Sequence, residues 1–279
     1  MCRIVNCALV IVISAGIVEA RETSGAVITT IDGNGADTFV RSSLGGNNAA
    51  NTNYGSWARV GIKRDTALPG NNRKGYIRFD ISSVRPGIEY ASLEFVYAGT
   101  SPDPPANPST YSVYGLNDGH LGESWNELTI TWNNAPGNNV SSTNGVLSKE
   151  TTFLGTFDIA VPEINVGDVI SFSSIDLIEF LQSDTNGLVT IIVTRQQQNF
   201  SVEYVASKEH AMLPPPALVI TGLACPWDLD GNGTVGIFDL HALLAAWGTD
   251  PGGSPDFDGN GTVDILDLLT LLANWGSCA

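Results

Sequence analysis

Apolar and polar positions alternate through the middle of the chain and recur at helical spacing near its end. Ile77, Phe79 and Ile81 alternate with Tyr76, Arg78 and Asp80, and Leu128, Ile130 and Trp132 alternate with Thr129 and Thr131. Successive side chains of a strand point to opposite faces, so each run predicts a strand with one face toward a core. The apolar, β-branched runs 188–194 and 217–221 predict two more. Clusters of Asn, Gly and Pro at 45–48, 102–108 and 136–139 mark turns between such segments. One short helix is predicted over Ser173–Ser183, where Ser173 and Asp176 have capping-box spacing ahead of Leu177, Ile178 and Leu181. Many short strands with long loops predict a mainly β chain folded as a two-sheet sandwich or jelly roll.

The pattern changes after residue 225. Leu240, Leu243, Leu244 and Trp247 fall at i, i+3, i+4 and i+7, and Leu268, Leu271, Leu272 and Trp275 repeat the spacing. Gly248 and Gly276 follow as stops. Each predicted helix is preceded by a twelve-residue run, from Asp228 to Asp239 and from Asp256 to Asp267, with oxygen-bearing side chains at positions 1, 3, 5 and 12 and glycine at position 6. That spacing wraps alternate oxygens around a hard cation while the glycine makes the sharp turn, so two calcium ions are expected. The expected ligands are Asp228, Asp230, Asn232, the Thr234 carbonyl and Asp239, then Asp256, Asp258, Asn260, the Thr262 carbonyl, Asp264 and Asp267. Asp264 adds a carboxylate at position 9, where the first loop has Gly236, so the second loop is expected to bind more tightly.

No helix is predicted before the first loop, because 214–226 reads as a proline-led strand and then a stop. Loop, helix, linker, loop and helix, with Asp at position 12, resembles a type I dockerin over residues 225–279. The resemblance implies a cohesin-like or envelope protein as docking partner, with choice of partner at loop positions 10 and 11, here Ile237, Phe238, Ile265 and Leu266. The alternative is a calcium-folded cap without a partner.

Arg3, the apolar stretch Ile4–Val18 and the small residues Val18 and Ala20 read as a secretory signal over 1–20, so a secreted or cell-surface protein is expected. The stretch is short for a bilayer span, and no transmembrane segment is expected in the mature chain. Beyond it only Cys225 and Cys278 remain, one at each end of the calcium module. In an oxidising compartment they are expected to pair, closing a loop worth about 4 kcal/mol by chain entropy. The domain reading is therefore a signal at 1–20, a β-sandwich at 21–223 and the double calcium loop at 224–279.

The chain carries a formal charge of −16, which argues against nucleic acid as a partner, since phosphate binding needs clustered cations. Half of that imbalance belongs to the last module, which has eight Asp and no Lys, Arg or Glu. Against this background Arg59, Lys63, Arg64, Arg73, Lys74 and Arg78 lie within twenty residues that contain one acid, Asp65. If Val60 and Ile62 face the core, Trp57, Arg59 and Lys63 share the opposite face, and Tyr76 and Arg78 oppose Ile77 and Phe79. An aromatic ring for a sugar face beside guanidinium groups for carboxylates suits a uronic-acid polymer. The alternative is a solvated face with ordinary ion pairs. Trp125 and Trp132 are open in the same way, between sugar stacking and core packing.

The ordered phrases Asp37 to Val40, Thr52 to Gly55, Arg73 to Ser82, Ala91 to Leu93, Trp125 with Thr129 to Pro136, and Ser207 to Glu209 with Pro216 to Ile220 resemble the DNRLRE-type domain over about residues 30–222. That family is similar to the family-96 carbohydrate-binding modules. The resemblance implies a β jelly roll attached to secreted polysaccharide-degrading proteins, with alginate as the ligand best associated with it.

Catalytic motifs are thin: no metalloprotease helix motif, no nucleophile elbow and no phosphate loop occur. Glu123 and Glu127 form a candidate carboxylate pair for glycoside hydrolysis. Three readings follow. The first is a secreted, non-catalytic polysaccharide-binding protein that docks through its calcium module. The second is a glycan-degrading hydrolase or lyase on the same sandwich. The third is a structural surface or matrix protein.

Overall fold

A computed structural model describes residues 23–43, 46–66, 69–82, 88–100, 109–160, 163–223, 225–230, 232–251 and 255–277. The expected secretory signal, the proline-rich turn at 102–108 and Cys278 lie outside the described residues. Compactness divides the chain into a larger unit of residues 27–83 and 91–219 and a smaller one whose described part is mainly 220–279.

The chain is mainly β. Its strands are β1 (Thr23–Thr29), β2 (Ala36–Arg41), β3 (Arg59–Ile62), β4 (Arg73–Asp80), β5 (Ile88–Thr100), β6 (Ser109–Leu116), β7 (Thr151–Ile159) and β8 (Val169–Phe172), then, beyond helix α1 (Ile175–Gln182), β9 (Leu188–Arg195), β10 (Glu203–Ala206) and β11 (Ala217–Leu223). Five of them form one sheet in the order β2-β4-β9-β6-β7, antiparallel throughout. A second sheet has the order β1-β11-β5-β10-β3, with β8 paired to β5. This two-sheet arrangement is consistent with a β-sandwich. Along one edge β3 and β4 connect the sheets, because Lys63 and Arg73 exchange both backbone hydrogen bonds, at 3.1 and 2.9 Å.

The period-two pattern decides what faces the interior. Gly75 lies on the face of β4 shared by Ile77 and Phe79, and a methyl there would sit 3.1 Å from the Val60 side chain and 3.6 Å from that of Ile62. Val60, Ile62, Ile77 and Phe79 are all buried, as the alternation predicts. The opposite face of the sheet is also covered. Trp125, Ile130, Trp132 and Ala135, from the long segment between β6 and β7, pack with Ala36, Val40, Tyr76 and Ile192 into a second core. Burying these aromatic and aliphatic side chains contributes roughly 1.5–3 kcal/mol each.

Two local expectations are corrected. Residues 128–132 form turns rather than a strand. Asn126 Oδ1 accepts the Leu128 N–H at 2.9 Å and Asn134 Oδ1 accepts that of Thr131 at 2.6 Å, and these side-chain bonds replace a strand ladder. The cap of α1 is Ser174, whose hydroxyl accepts from the Leu177 N–H, not Ser173. Leu177 and Leu181 are buried as predicted.

The smaller unit holds β12 (Thr234–Val235), α2 (Ile237–Ala245), α3 (Ile265–Ala273) and β13 (Gly276–Ser277). Its two loop–helix units exchange strands. Val235 pairs with Gly276 beyond α3, while Val263 donates to Thr249 and accepts from Gly248 beyond α2, both at 2.9 Å. Val235, Val263, Leu243, Leu271 and Cys225 form its core. Among the described residues no helix is long and apolar enough to cross a membrane.

Candidate functional site

The basic residues predicted to share one solvent face do not. Tyr76 is fully buried and its hydroxyl donates to the Pro136 carbonyl at 3.0 Å. Arg78 is buried too: its guanidinium donates to the carbonyls of Asn34, Glu123 and Trp125 and lies 4.9 Å from the centre of the Trp125 ring. Lys63 is 4% exposed and pairs with Asp65 at 3.2 Å. Burial pulls its pKa down, with Asp65 opposing. The alternation is right, but the 117–150 segment covers the outer face of β4, so Tyr76 and Arg78 anchor that cover instead of facing solvent. Trp125 and Trp132 are core residues, 7% and 3% exposed. Trp125 Nε1 donates to Thr190 and Trp132 Nε1 to the Val140 carbonyl.

Trp57 and Arg59 do reach solvent. Trp57 keeps 47% of its surface exposed, yet its ring is fixed edge-on against Tyr54 at 5.3 Å and Phe39 at 5.5 Å. The Trp57 N–H donates to the Tyr54 carbonyl, and its own carbonyl accepts from the Ser207 hydroxyl at 2.6 Å. Arg59, exposed on β3, sits 5.5 Å from the centre of the Tyr204 ring. Arg73 supports that ring from below, donating to the Tyr204 hydroxyl at 2.8 Å. Gly61 admits this packing: a methyl there would come within 3.1 Å of Tyr204 and 3.2 Å of Arg73. Trp57 and Arg59 are thus linked through buried Phe39 and Arg73, whose guanidinium lies 5.4 Å from the Phe39 ring and 5.8 Å from that of Tyr204. Tyr204 carried no signal in the sequence, because it meets β3 only through strand pairing.

The two glutamates considered as a catalytic pair belong to different clusters. Glu123 gathers with Asp118 and Asp184, and Glu127 with Asp37 and Glu209. Burial raises the Glu123 pKa, against donors from Asn186 and Gly119.

In the C-terminal module the two loops have the same internal bonding. Asp228 accepts from the N–H groups of Asn232 and Gly233, and Asp256 from those of Asn260 and Gly261. Asp239 accepts from Leu229, Asp230 and Gly236, and Asp267 from Phe257, Asp258 and Asp264. Burial pushes both of these last carboxyls up, but the backbone donors win and hold them below the usual range. Gly233 and Gly261 share a φ of 85°, the left-handed turn that position 6 requires. Asp228, Asp230 and Asp239 bring one oxygen each within 4.8 Å of one another, as do Asp256, Asp258 and Asp267. An all-oxygen donor set of this kind fits calcium. Asn232 Oδ1 accepts from Thr234 and Asn260 Oδ1 from Thr262. Asp264 stands apart: its Oδ1 caps α3 through the Leu266 N–H at 2.8 Å. Ile237, Phe238, Ile265 and Leu266 are all more than half exposed, and Ile237 and Phe238 line an apolar groove with Leu240, His241 and Leu244.

Residues 33–161, somewhat less than half of the chain, match the model of carbohydrate-binding module family 96, and this part of the chain is similar to that family. The match takes in Trp57, Arg59 and the covering segment. No curated protein matches the chain.

Proposed function

Proceeding from the family-96-like carbohydrate-binding module at residues 33–161, we propose that this is a secreted, non-catalytic protein that binds an anionic polysaccharide through a jelly-roll domain. Trp57 carries the reading. An indole left half exposed but held edge-on by two aromatic rings is a ready platform for a sugar ring, and Arg59, two residues on and exposed at the Tyr204 ring, offers a guanidinium to a uronate carboxylate. Retardation of the full chain in gels containing alginate, pectate or a neutral glucan tests this. Polyuronate should retard the protein at low salt, and both added salt and Arg59→Ala should weaken the effect. Binding to the glucan alone would place the site elsewhere.

The second element of the proposal is a calcium-dependent, dockerin-like module at 224–279. Asp228, Asp230, Asn232, the Thr234 carbonyl and Asp239 would hold one ion. Asp256, Asp258, Asn260, the Thr262 carbonyl and Asp267 would hold the other, with Asp264 contributing from position 9, where contact commonly runs through water. Calcium would neutralise the converging carboxylates and link metal binding to folding. Cys225 would pair with Cys278, the one other cysteine outside the expected signal, and its burial in the module's core supports that. Ile237, Phe238, Ile265 and Leu266 form the docking surface for a cohesin-like or envelope protein, and their exposure supports that role. A pull-down from the producing cells should retain such a protein with calcium and release it with chelator. Equal recovery under both conditions would count against docking.

A further inference from the structure

Asp37, Glu127 and Glu209 come from three separate places, β2, the turn after Trp125 and the turn after β10, and bring one carboxylate oxygen each within 4.8 Å of one another. Like charges at that separation repel unless a cation lies among them. Asp37 is 1% exposed. Its Oδ2 accepts from the Thr30 hydroxyl at 2.5 Å and from the Lys208 N–H at 3.0 Å. Its Oδ1 is buried with no hydrogen-bond partner among the described residues, which is costly for a carboxylate. Glu127 Oε1 accepts from the Asp37 N–H at 2.7 Å, and Oε2 meets Lys208 Nζ at 2.7 Å. Arg78 also acts on Glu127 through its charge, but its hydrogen bonds go to three carbonyls. Among the described residues Lys208 is the cation in ion-pair contact with this cluster of three carboxylates, and exposed Glu209 opens it to ions from solvent.

We propose that Asp37, Glu127 and Glu209 form a calcium site in the β-sandwich, separate from the two C-terminal loops. Its donors are carboxylate oxygens, which suit a hard cation, and calcium tolerates the irregular geometry that magnesium does not. Asp37 Oδ1 is the ligand that no donor among the described residues satisfies. The site would also order the aromatic surface. The Glu127 carbonyl accepts from Asn53 Nδ2 at 2.7 Å, and the turn bearing Glu209 holds Trp57 through Ser207. Gly55 packs so closely on Glu127 that a methyl there would overlap its carbonyl.

The test counts calcium bound to the full chain after equilibrium dialysis. Glu209→Gln changes an exposed side chain and should fold normally. It and Glu127→Gln should each lose one equivalent relative to the parent. Asp230→Ala with Asp258→Ala, which disables the C-terminal loops, should retain that equivalent, and calcium should raise the melting temperature of its sandwich until Glu209→Gln is added. Equal calcium counts in the parent and both glutamate variants would overturn the proposal, whatever the loops bind. So would a loop-disabled chain that binds no calcium.

Discussion

Arg195 on β9 and Glu203 on β10 meet at 2.8 Å between the two sheets, 0% and 1% exposed respectively. The guanidinium also donates to the Ser109 hydroxyl and to the Ser201 carbonyl. Burial raises the Glu203 pKa, with Arg195 opposing it. The pair ties one sheet to the other, because its two buried charges stand on strands of different sheets. Glu203→Gln is expected to leave a buried, uncompensated guanidinium and to destabilise the sandwich by about 3–5 kcal/mol. The double replacement Arg195→Met with Glu203→Leu should cost much less than the sum of the single changes. Urea unfolding of the four proteins measures this coupling.

Lys74 provides the pH dependence. Its ammonium is wholly buried, donates to Asn138 Oδ1 and to the carbonyls of Asn139 and Gly145, and lies 4.4 Å from the centre of the Trp132 ring. Burial pulls its pKa from 10.5 down to about 7. Above pH 7 the folded chain releases a proton that the unfolded chain keeps until its ordinary pKa. Stability from this group therefore rises between those two values, and its burial cost is fully present below the lower one. Lys74→Met should remove that rise, which urea midpoints at pH 6 and pH 9 would reveal.

Half-exposed Trp57 and buried Trp125 separate binding from folding. Trp125→Ala empties a core position and should cost about 3–5 kcal/mol. Trp57→Ala, at a half-exposed ring, should cost far less while abolishing polyuronate retardation. If both variants lost stability equally and bound equally, Trp57 would be a packing residue.

In the C-terminal loops Asp230 and Asp239 should behave differently. Asp230 is exposed, and its carboxylate accepts from Asn232 within the loop. Asp239 is buried and satisfies three backbone donors before any metal arrives. Asp230→Ala should weaken calcium binding and leave metal-free helicity unchanged, whereas Asp239→Ala should lower both. Circular dichroism with and without chelator distinguishes them.

Much of this was legible along the chain. The alternation around Ile77 and Phe79 sets the inward face of β4, and the β-branched runs become β9 and β11, because period two is a local property of extended backbone. The repeated loops were just as clear: spacing alone places their oxygens, and glycine at position 6 is the residue that tolerates the left-handed turn. The fate of a strand's second face is not local. Tyr76 and Arg78 alternate as surface residues should, yet a segment forty to seventy positions away folds over them and uses Arg78 to bind its carbonyls. Tyr204 joins Arg59, and Asp37 joins Glu127 and Glu209, only through strand pairings and turns that bring distant residues together. Sequence determined which residues could form strands, turns and oxygen-lined loops. Tertiary structure decided which charges stayed in water, because that depends on what the rest of the chain lays across them.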